Sequence, residues 1–174
     1  LATGNLTGIA ASGTGTPISG TFVNTTSTQQ VSTFTVTATA TGCSSSTTAT
    51  VTVNPRPVMT SANNARICNN SAVNIPLTSN AASTYTWVAA SNTNVTGEST
   101  TTQTTSVINN ILINTSPSPG GGPISLIPRH NVIYTVTPTA SGTGCLGIAQ
   151  TVTVTVNPRY NISFYEYPND DNGF

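Results

Sequence analysis

The segment Thr151-Val-Thr-Val-Thr-Val-Asn-Pro-Arg159 is the clearest indication of the fold, because its threonines and valines alternate with a period of two residues. Such alternation is typical of an antiparallel strand that packs one face on a core and exposes the other. The same pattern is found earlier in the chain as Val51-Thr-Val-Asn-Pro-Arg56. A chain that repeats itself at such a distance is predicted to be a string of modules.

Two further stretches repeat upstream of these strands. Phe34-Thr-Val-Thr-Ala-Thr-Ala-Thr-Gly-Cys43 returns as Tyr134-Thr-Val-Thr-Pro-Thr-Ala-Ser-Gly-Thr-Gly-Cys145. Asn5-Leu-Thr-Gly8 returns as Asn94-Val-Thr-Gly97. The repeating unit of about 100 residues has the size of one immunoglobulin-like sandwich, which is large enough to bury its own core.

These matches predict the domain organisation. Residues 1–54 form the C-terminal part of one β-sandwich module, and residues 55–157 form a complete module. Residues 158–174 form a linker and the start of the next module, or a terminal strand. The distance between matching residues grows around residues 116–129, where Ser, Pro and Gly are concentrated. This segment is therefore predicted to be an inserted loop, since loops vary between copies while strands persist.

The fold class follows from the pattern of the complete module. Strands are predicted near residues 58–64, 72–78, 83–89, 104–114, 131–138 and 148–156. No sustained apolar period of 3.6 residues indicates a long helix. Many short strands separated by turns predict an all-β fold of tandem immunoglobulin-like, antiparallel β-sandwich modules. The aromatic residues Phe34, Tyr85, Trp87 and Tyr134 are predicted to lie in the cores, with ligand stacking as the alternative for Trp87.

The composition excludes several classes of partner. The chain contains four arginines, no lysine and four Asp or Glu residues, so its formal net charge is zero. A neutral chain has no field that steers nucleic acid or an anionic membrane towards it. No stretch approaches the ~18 apolar residues of a membrane span. The 36 threonines keep exposed strand faces wettable without charge, and attached sugar is a further hypothesis for solubility.

Few residues suggest chemistry. His130, beside Arg129, has no evident partner of the kind that a catalytic base needs, so we interpret it as a surface-loop residue and expect no enzyme activity and no organic cofactor. Asp170 and Asp171 precede a turn glycine and are weak calcium candidates. They lack the ligand spacing and the distal glutamate of an EF-hand loop, so a solvated polar turn is the alternative.

The three cysteines leave alternatives open. Cys43 and Cys145 occupy equivalent positions, so the partner of Cys43 is expected upstream of residue 1. A bridge between Cys68 and Cys145 would close a long loop within the module. In a plain immunoglobulin topology, however, the two lie at opposite ends, beyond the ~7 Å limit between bridged Cα atoms. Cys68 could then reach the next module, or all three thiols could stay free.

Five motifs together resemble a known family. They are Ile67-Cys-Asn-Asn-Ser71, Tyr85-Thr-Trp87, Asn94-Val-Thr-Gly97, Tyr134-Thr-Val-Thr-Pro138 and Val152-Thr-Val-Thr-Val-Asn-Pro158. This set resembles the PKD-like, immunoglobulin-like repeats of Bacteroidota surface proteins, such as gliding-motility adhesins and other cargo of type IX secretion. The resemblance implies an extracellular location at a bacterial cell surface.

These observations predict a structural and adhesive repeat segment of a long surface protein or filament, with a role in stalk formation, surface adhesion or gliding. Its partners would be neighbouring modules or subunits of the same fibre, and surface polysaccharide or other cell-surface ligands. Specific recognition is predicted in the inserted loop, at Ser116, Ser118, Arg129 and His130. Two alternatives are a spacer or carbohydrate-binding module of a secreted hydrolase, and a pilin-like subunit that polymerises by strand complementation.

Overall fold

The structure is a computed structural model that describes residues 5–8, 10, 12–15, 17–117 and 128–159. Its described residues contain β-strands and no helix, and the predicted all-β fold is confirmed. None of them forms a helix that is long and apolar enough to cross a membrane. The strands of the first copy are β1 (Leu6–Thr7), β2 (Val23–Asn24), β3 (Gln30–Ala40) and β4 (Cys43–Val53).

The second copy is built from nine strands among its described residues. They are β5 (Asn64–Ile67), β6 (Ser71–Ala72), β7 (Ile75–Pro76), β8 (Ser83–Ala89), β9 (Val95–Thr96), β10 (Val107–Ile108), β11 (Ile111–Asn114), β12 (His130–Ala140) and β13 (Gln150–Val156). One layer is the four-stranded sheet β5-β13-β12-β8. The other layer consists of the smaller sheets β6-β11-β9 and β10-β7.

The core lies between these two layers. In β13, Val152, Val154 and Val156 are buried, while the threonines between them are half-buried. This is the inward and outward alternation that the Thr-Val repeat predicts. The inward residues of β8, β12 and β13 form a single apolar cluster with buried residues of β7, β9, β10 and β11. Tyr85, Trp87 and Tyr134 belong to this cluster.

The chain enters and leaves the second copy at opposite ends. Pro57 lies against Gly147 and Pro138, near the end of β12 that carries Ala140. We call this the proximal end. β13 runs the other way along β12, so that Val156 pairs with His130, and the chain leaves at Asn157. We call this the distal end. β5 pairs in parallel with β13 at the distal half of the sheet, from Thr153↔Asn64 to Val156↔Ile67.

The predicted strand limits agree with the structure to within two residues where the period is regular, at β8, β12 and β13, and are wrong where it is interrupted. The prediction for 83–89 has the bounds of β8. The prediction for 58–64 is wrong, because that segment carries only the isolated bridge Met59↔Ser79 and β5 begins at Asn64. The strand predicted at 72–78 is divided at Asn74, whose φ of 51° breaks the extended backbone. Asparagine tolerates this left-handed conformation better than most residues.

The first copy is much less covered than the second. Its β3–β4 hairpin pairs in the same way as β12–β13, but among the described residues its sheet contains two strands and not four. Val36 is 39% exposed, whereas its counterpart Val136 is 0% exposed. Phe34, predicted as core, is half-buried and packs edge-to-face on Phe22 with ring centroids 6.2 Å apart. The first copy therefore presents apolar strand surface that β5, β8 and the opposite layer cover in the second.

Tyr134 is buried without a partner for its hydroxyl group. The side chain is 0% exposed, and no group in the described structure hydrogen-bonds to its oxygen. Burial, with the Glu98 carboxylate nearby, raises the pKa of Tyr134 well above its usual range. By contrast, the Tyr85 hydroxyl lies 3.1 Å from Ser79 Oγ. The hydroxyl groups of the two tyrosines are therefore expected to contribute differently to the free energy of unfolding.

We expect Tyr134→Phe to leave the free energy of unfolding unchanged or to raise it by about 1 kcal/mol, because it removes an unpaired buried polar group. The control Tyr85→Phe loses a hydrogen bond and should lower stability by about 1 kcal/mol. Above about pH 10 the unfolded chain releases a phenolic proton that the folded chain retains, so stability should fall with rising pH in the wild type. Urea unfolding at neutral pH and at pH 10–11 measures both effects, and a Tyr134→Phe variant with the wild-type pH slope would contradict this account.

Candidate recognition site at the base of the inserted loop

The inserted loop joins β11 to β12 at the distal end of the second copy. The burial of β11 alternates, so that Leu112 and Asn114 face inward. Asn114 is only 7% exposed. A polar side chain at such a position must find hydrogen-bond partners, or its burial costs free energy.

Asn114 meets this requirement by tying the two ends of the loop to the sheet. Its Nδ2 donates to the Pro128 carbonyl at 2.9 Å and to the Val156 carbonyl at 3.4 Å. Its Oδ1 accepts from the Ser116 amide at 3.0 Å, and its own amide donates to Asn69 Oδ1 at 2.7 Å. The loop therefore starts and ends on a fixed platform.

The first copy contains the same arrangement at Asn24. Its Nδ2 donates to the Thr28 carbonyl at 2.7 Å and to the Val53 carbonyl at 3.0 Å. Its Oδ1 accepts from the Thr26 amide at 2.9 Å. The asparagine clamp is thus a scaffold feature of both copies, while the loop that it holds is short in the first and long in the second. The clamp was not predicted from the sequence, although the matching Asn-Thr pairs at 24–25 and 114–115 indicate it.

Ser116 and His130 form a second contact across the base of the loop. Ser116 Oγ lies 2.7 Å from His130 Nε2, and the donor depends on the tautomer of the ring. A serine nucleophile with a histidine base would also need a third group to orient the ring. Within the described residues, the His130 side chain makes no other hydrogen bond. The pair therefore closes the loop base, and the expectation of no catalytic residue stays a prediction.

The other predicted site residues lie in different places. Arg129 is exposed at the loop base beside the half-buried His130. Ser118, Asp170 and Asp171 lie outside the described residues, and so does the tail proposed for strand complementation. Within the described part of the chain, no cluster of His, Cys, Asp or Glu could hold a metal ion. Trp87 is 3% exposed in the core, so it offers no open stacking surface.

The cysteine positions exclude a bridge within the second copy. All three thiols are free, and Cys43 and Cys68 are exposed. Cys68 follows Ile67, which pairs with Val156 at the distal end. Cys145 accepts a bond from the Ala140 amide at the proximal end. The length of β12 separates them by roughly 30 Å, far beyond the reach of a disulfide. Of the alternatives that the sequence left open, a Cys68–Cys145 bridge within one module does not fit this geometry, and the two cysteines lie at opposite ends as expected for a plain immunoglobulin topology.

We expect Asn114→Ala to lower the free energy of unfolding by about 2–3 kcal/mol, because the buried Val156 carbonyl, the Pro128 carbonyl and the Ser116 amide lose their partner. The loop should also become sensitive to protease between residues 115 and 129. Asn24→Ala is the matched control, since it breaks the same clamp around a loop too short to be cut readily. Urea unfolding with mapped limited proteolysis measures both effects. Equal cutting of the Asn114→Ala variant and the wild type would contradict the clamp.

One comparison with known proteins gives a match. A family model described as PKD-like domain matches residues 2–57 and 65–160, which together make up most of the chain. No curated protein matches the chain. The two matched segments contain the two copies of the hairpin and both asparagine clamps.

Proposed function

The chain belongs to the PKD-like domain family, and from that membership we propose that it is a load-bearing repeat segment of a long bacterial surface adhesin. The family indicates an extracellular structural or adhesive module. The finer role proposed here is a stalk that holds binding sites away from the cell and transmits force between a surface and the cell.

One observation carries this proposal, namely the parallel pairing of the first and last strands of the second copy. β5 and β13 pair from Thr153↔Asn64 to Val156↔Ile67. Force that pulls Pro57 and Asn157 apart acts along these strands. The hydrogen bonds between β5 and β13 are then loaded together in shear, whereas an antiparallel pair pulled at adjacent ends would open one bond at a time. Resistance to force is what a stalk needs.

The Asn-Pro-Arg segments at 54–56 and 157–159, which we call the Asn-Pro-Arg joints, support the same role. Asn157 donates from its amide and from Nδ2 to the Ile67 carbonyl, both at 3.0 Å. The equivalent joint before the second copy anchors Arg56 Nε on the Leu146 carbonyl at 3.1 Å. Proline fixes φ between these anchor points and stops strand pairing. Modules linked in this way behave as a semi-rigid rod.

Adhesion is assigned to the inserted loop of the second copy. It varies between copies and is held on the asparagine clamp, as binding loops on rigid scaffolds often are. The ligands proposed are surface polysaccharide or other cell-surface molecules. With many modules in series, weak individual contacts would add through avidity.

Single-molecule pulling tests the load-bearing role. With the full chain tethered at both ends, we expect the second copy to unfold in one discrete event that releases on the order of 300 Å of chain. Ala65→Pro removes a backbone donor that faces β13 and should lower the unfolding force. Arg66→Pro is the control, because the amide of residue 66 points away from β13 and an edge strand tolerates proline there. Smooth extension of the wild type, or equal forces in both variants, would reject the proposal.

A second candidate function, assembly by strand complementation, is favoured by the open hairpin of the first copy. On β3, Val36 is 39% exposed and lies on the same face as the half-buried Phe34. A strand from a neighbouring subunit could cover this surface. Sedimentation velocity at rising concentration tests it. Concentration-dependent oligomers that Val36→Thr weakens are expected, and a monomer at all concentrations would exclude it. No feature of the described residues specifically favours a carbohydrate-binding or hydrolase-spacer role.

A further inference from the structure

We propose that consecutive modules of this family are cross-linked by a disulfide between the Cys68 position of one module and the Cys145 position of the next. This inference rests on the proposed function, since it requires modules in series. In this arrangement, the distal end of each module supplies one cysteine of the bridge, and the proximal end of the next module supplies the other.

The distal half of the joint is built around Ile67. Asn157 of the Asn-Pro-Arg joint holds the Ile67 carbonyl with two hydrogen bonds of 3.0 Å. Cys68 is the next residue in the chain, and it is exposed. Its thiol therefore lies beside the point where the chain leaves the module.

The proximal half of the joint is built around Leu146. Arg56, from the joint before the module, donates from Nε to the Leu146 carbonyl at 3.1 Å. The neighbouring Gly147 approaches the Pro57 backbone so closely that a Cβ would overlap the Pro57 carbonyl oxygen. Cys145 is the residue before Leu146, and it is half-buried. Its thiol therefore lies beside the point where the chain enters the module.

Repetition of the joint brings the two halves together. Asn157 and Arg159 repeat Asn54 and Arg56. In a series of modules, the asparagine of one joint would hold Ile67 of the preceding module, which is the residue before Cys68. The arginine of the same joint would hold Leu146 of the following module, which is the residue after Cys145. Asparagine and arginine are two residues apart, which is about 7 Å of extended chain. Each cysteine is next to a residue that this short joint holds, so both cysteines lie at the same junction, as a bridge with a Cα separation below ~7 Å requires.

The free thiols of this chain agree with the proposal. Cys43 is the one cysteine among residues 1–54, and it corresponds to Cys145, so within residues 1–174 the joint at 54–56 has Cys145 on one side and no cysteine that corresponds to Cys68 on the other. The joint at 157–159 has Cys68 on one side. Neither joint brings two cysteines together within residues 1–174, and all three cysteines are free.

The chemistry is thiol–disulfide exchange with a low-molecular-weight disulfide. One thiolate attacks the oxidant, releases one thiol and forms a mixed disulfide. The second thiolate attacks that bond and releases the other thiol. The two cysteines lose two electrons and two protons, and the oxidant takes them up as two thiols. An extracellular location favours the oxidised product.

A tandem duplication of residues 57–159 within the full chain tests the proposal, because each copy then follows a native Asn-Pro-Arg joint. In one variant only Cys68 of the first duplicate and Cys145 of the second remain, with serine at the other cysteines. In the matched control only Cys145 of the first duplicate and Cys68 of the second remain, which places the thiols at far ends. Both are equilibrated in oxidised and reduced glutathione.

We expect the junction pair to lose both thiols and to give one cross-linked peptide, while the control keeps both thiols. Circular dichroism of the reduced variants checks that both are folded, so that retention of the thiols in the junction pair reports on the joint and not on misfolding. A junction pair that keeps its thiols, or a control that cross-links as fast, would overturn the proposal. The pulling experiment uses reduced protein, so its outcome is independent, and a failure of load-bearing can be told apart from a failure of the bridge.

Discussion

Replacement of Trp87 with alanine is expected to lower the free energy of unfolding of the second copy by about 3–5 kcal/mol, the range for a large aromatic residue lost from a core. The indole is 3% exposed and packs edge-to-face on Tyr134 with ring centroids 5.7 Å apart. Its Nε1 donates to the Thr105 carbonyl at 3.0 Å. Alanine would leave a cavity between the two layers and remove this bond.

Two controls separate these contributions. Trp87→Phe keeps an aromatic ring but loses the indole hydrogen bond, so it should lower stability by about 1–2 kcal/mol. Phe34→Ala, in the open first copy, should lower stability by less than Trp87→Ala, because Phe34 is only half-buried. Unfolding in urea followed by circular dichroism measures all three. A loss below about 1 kcal/mol for Trp87→Ala would contradict a core between two sheets.

Replacement of Gly97 with alanine is expected to lower stability by about 2–4 kcal/mol, through backbone strain and overpacking together. Its φ is 95°, a conformation that L-residues rarely adopt, and a Cβ there would overlap the Ile111 carbonyl oxygen. Gly8 has a φ of 84° and meets the Thr21 carbonyl oxygen in the same way in the first copy. The repeated Asn-X-Thr-Gly motif therefore reflects a close approach of two backbones.

Gly144 provides the matched control for Gly97. Its φ is 69°, but no atom lies within 4 Å of an added Cβ. Gly144→Ala should therefore show backbone strain alone and lower stability by about 1 kcal/mol. Thermal unfolding followed by circular dichroism compares the two. If Gly97→Ala and Gly144→Ala lost equal stability, the close approach would have no energetic role.

The regular part of the fold could be predicted because strand burial has a strict period of two. The Thr-Val alternation places Val152, Val154 and Val156 inward without further information. Short and interrupted strands could not be predicted in this way. The bends at Asn70 and Asn74 depend on local left-handed backbone conformations, and asparagine also occurs in many ordinary turns.

The candidate site was only partly predictable for a related reason. Variation between copies pointed to the inserted loop, and Ser116 and His130 do meet at its base. The clamp at Asn114 depends on carbonyl groups of Pro128 and Val156, which sequence spacing does not bring together. Whether Cys68 can reach Cys145 likewise depends on the end of the sheet that each cysteine occupies, which the spacing of the two residues in the sequence does not give.

We infer that the modules follow one another end to end, because the chain enters and leaves the second copy at opposite ends. Small-angle X-ray scattering of the full chain and of the chain with residues 57–159 duplicated tests this arrangement. The maximum dimension should grow by roughly 35 Å for the added module, the length of its longest strand. An added module that left the maximum dimension almost unchanged would show side-by-side packing and would contradict the account.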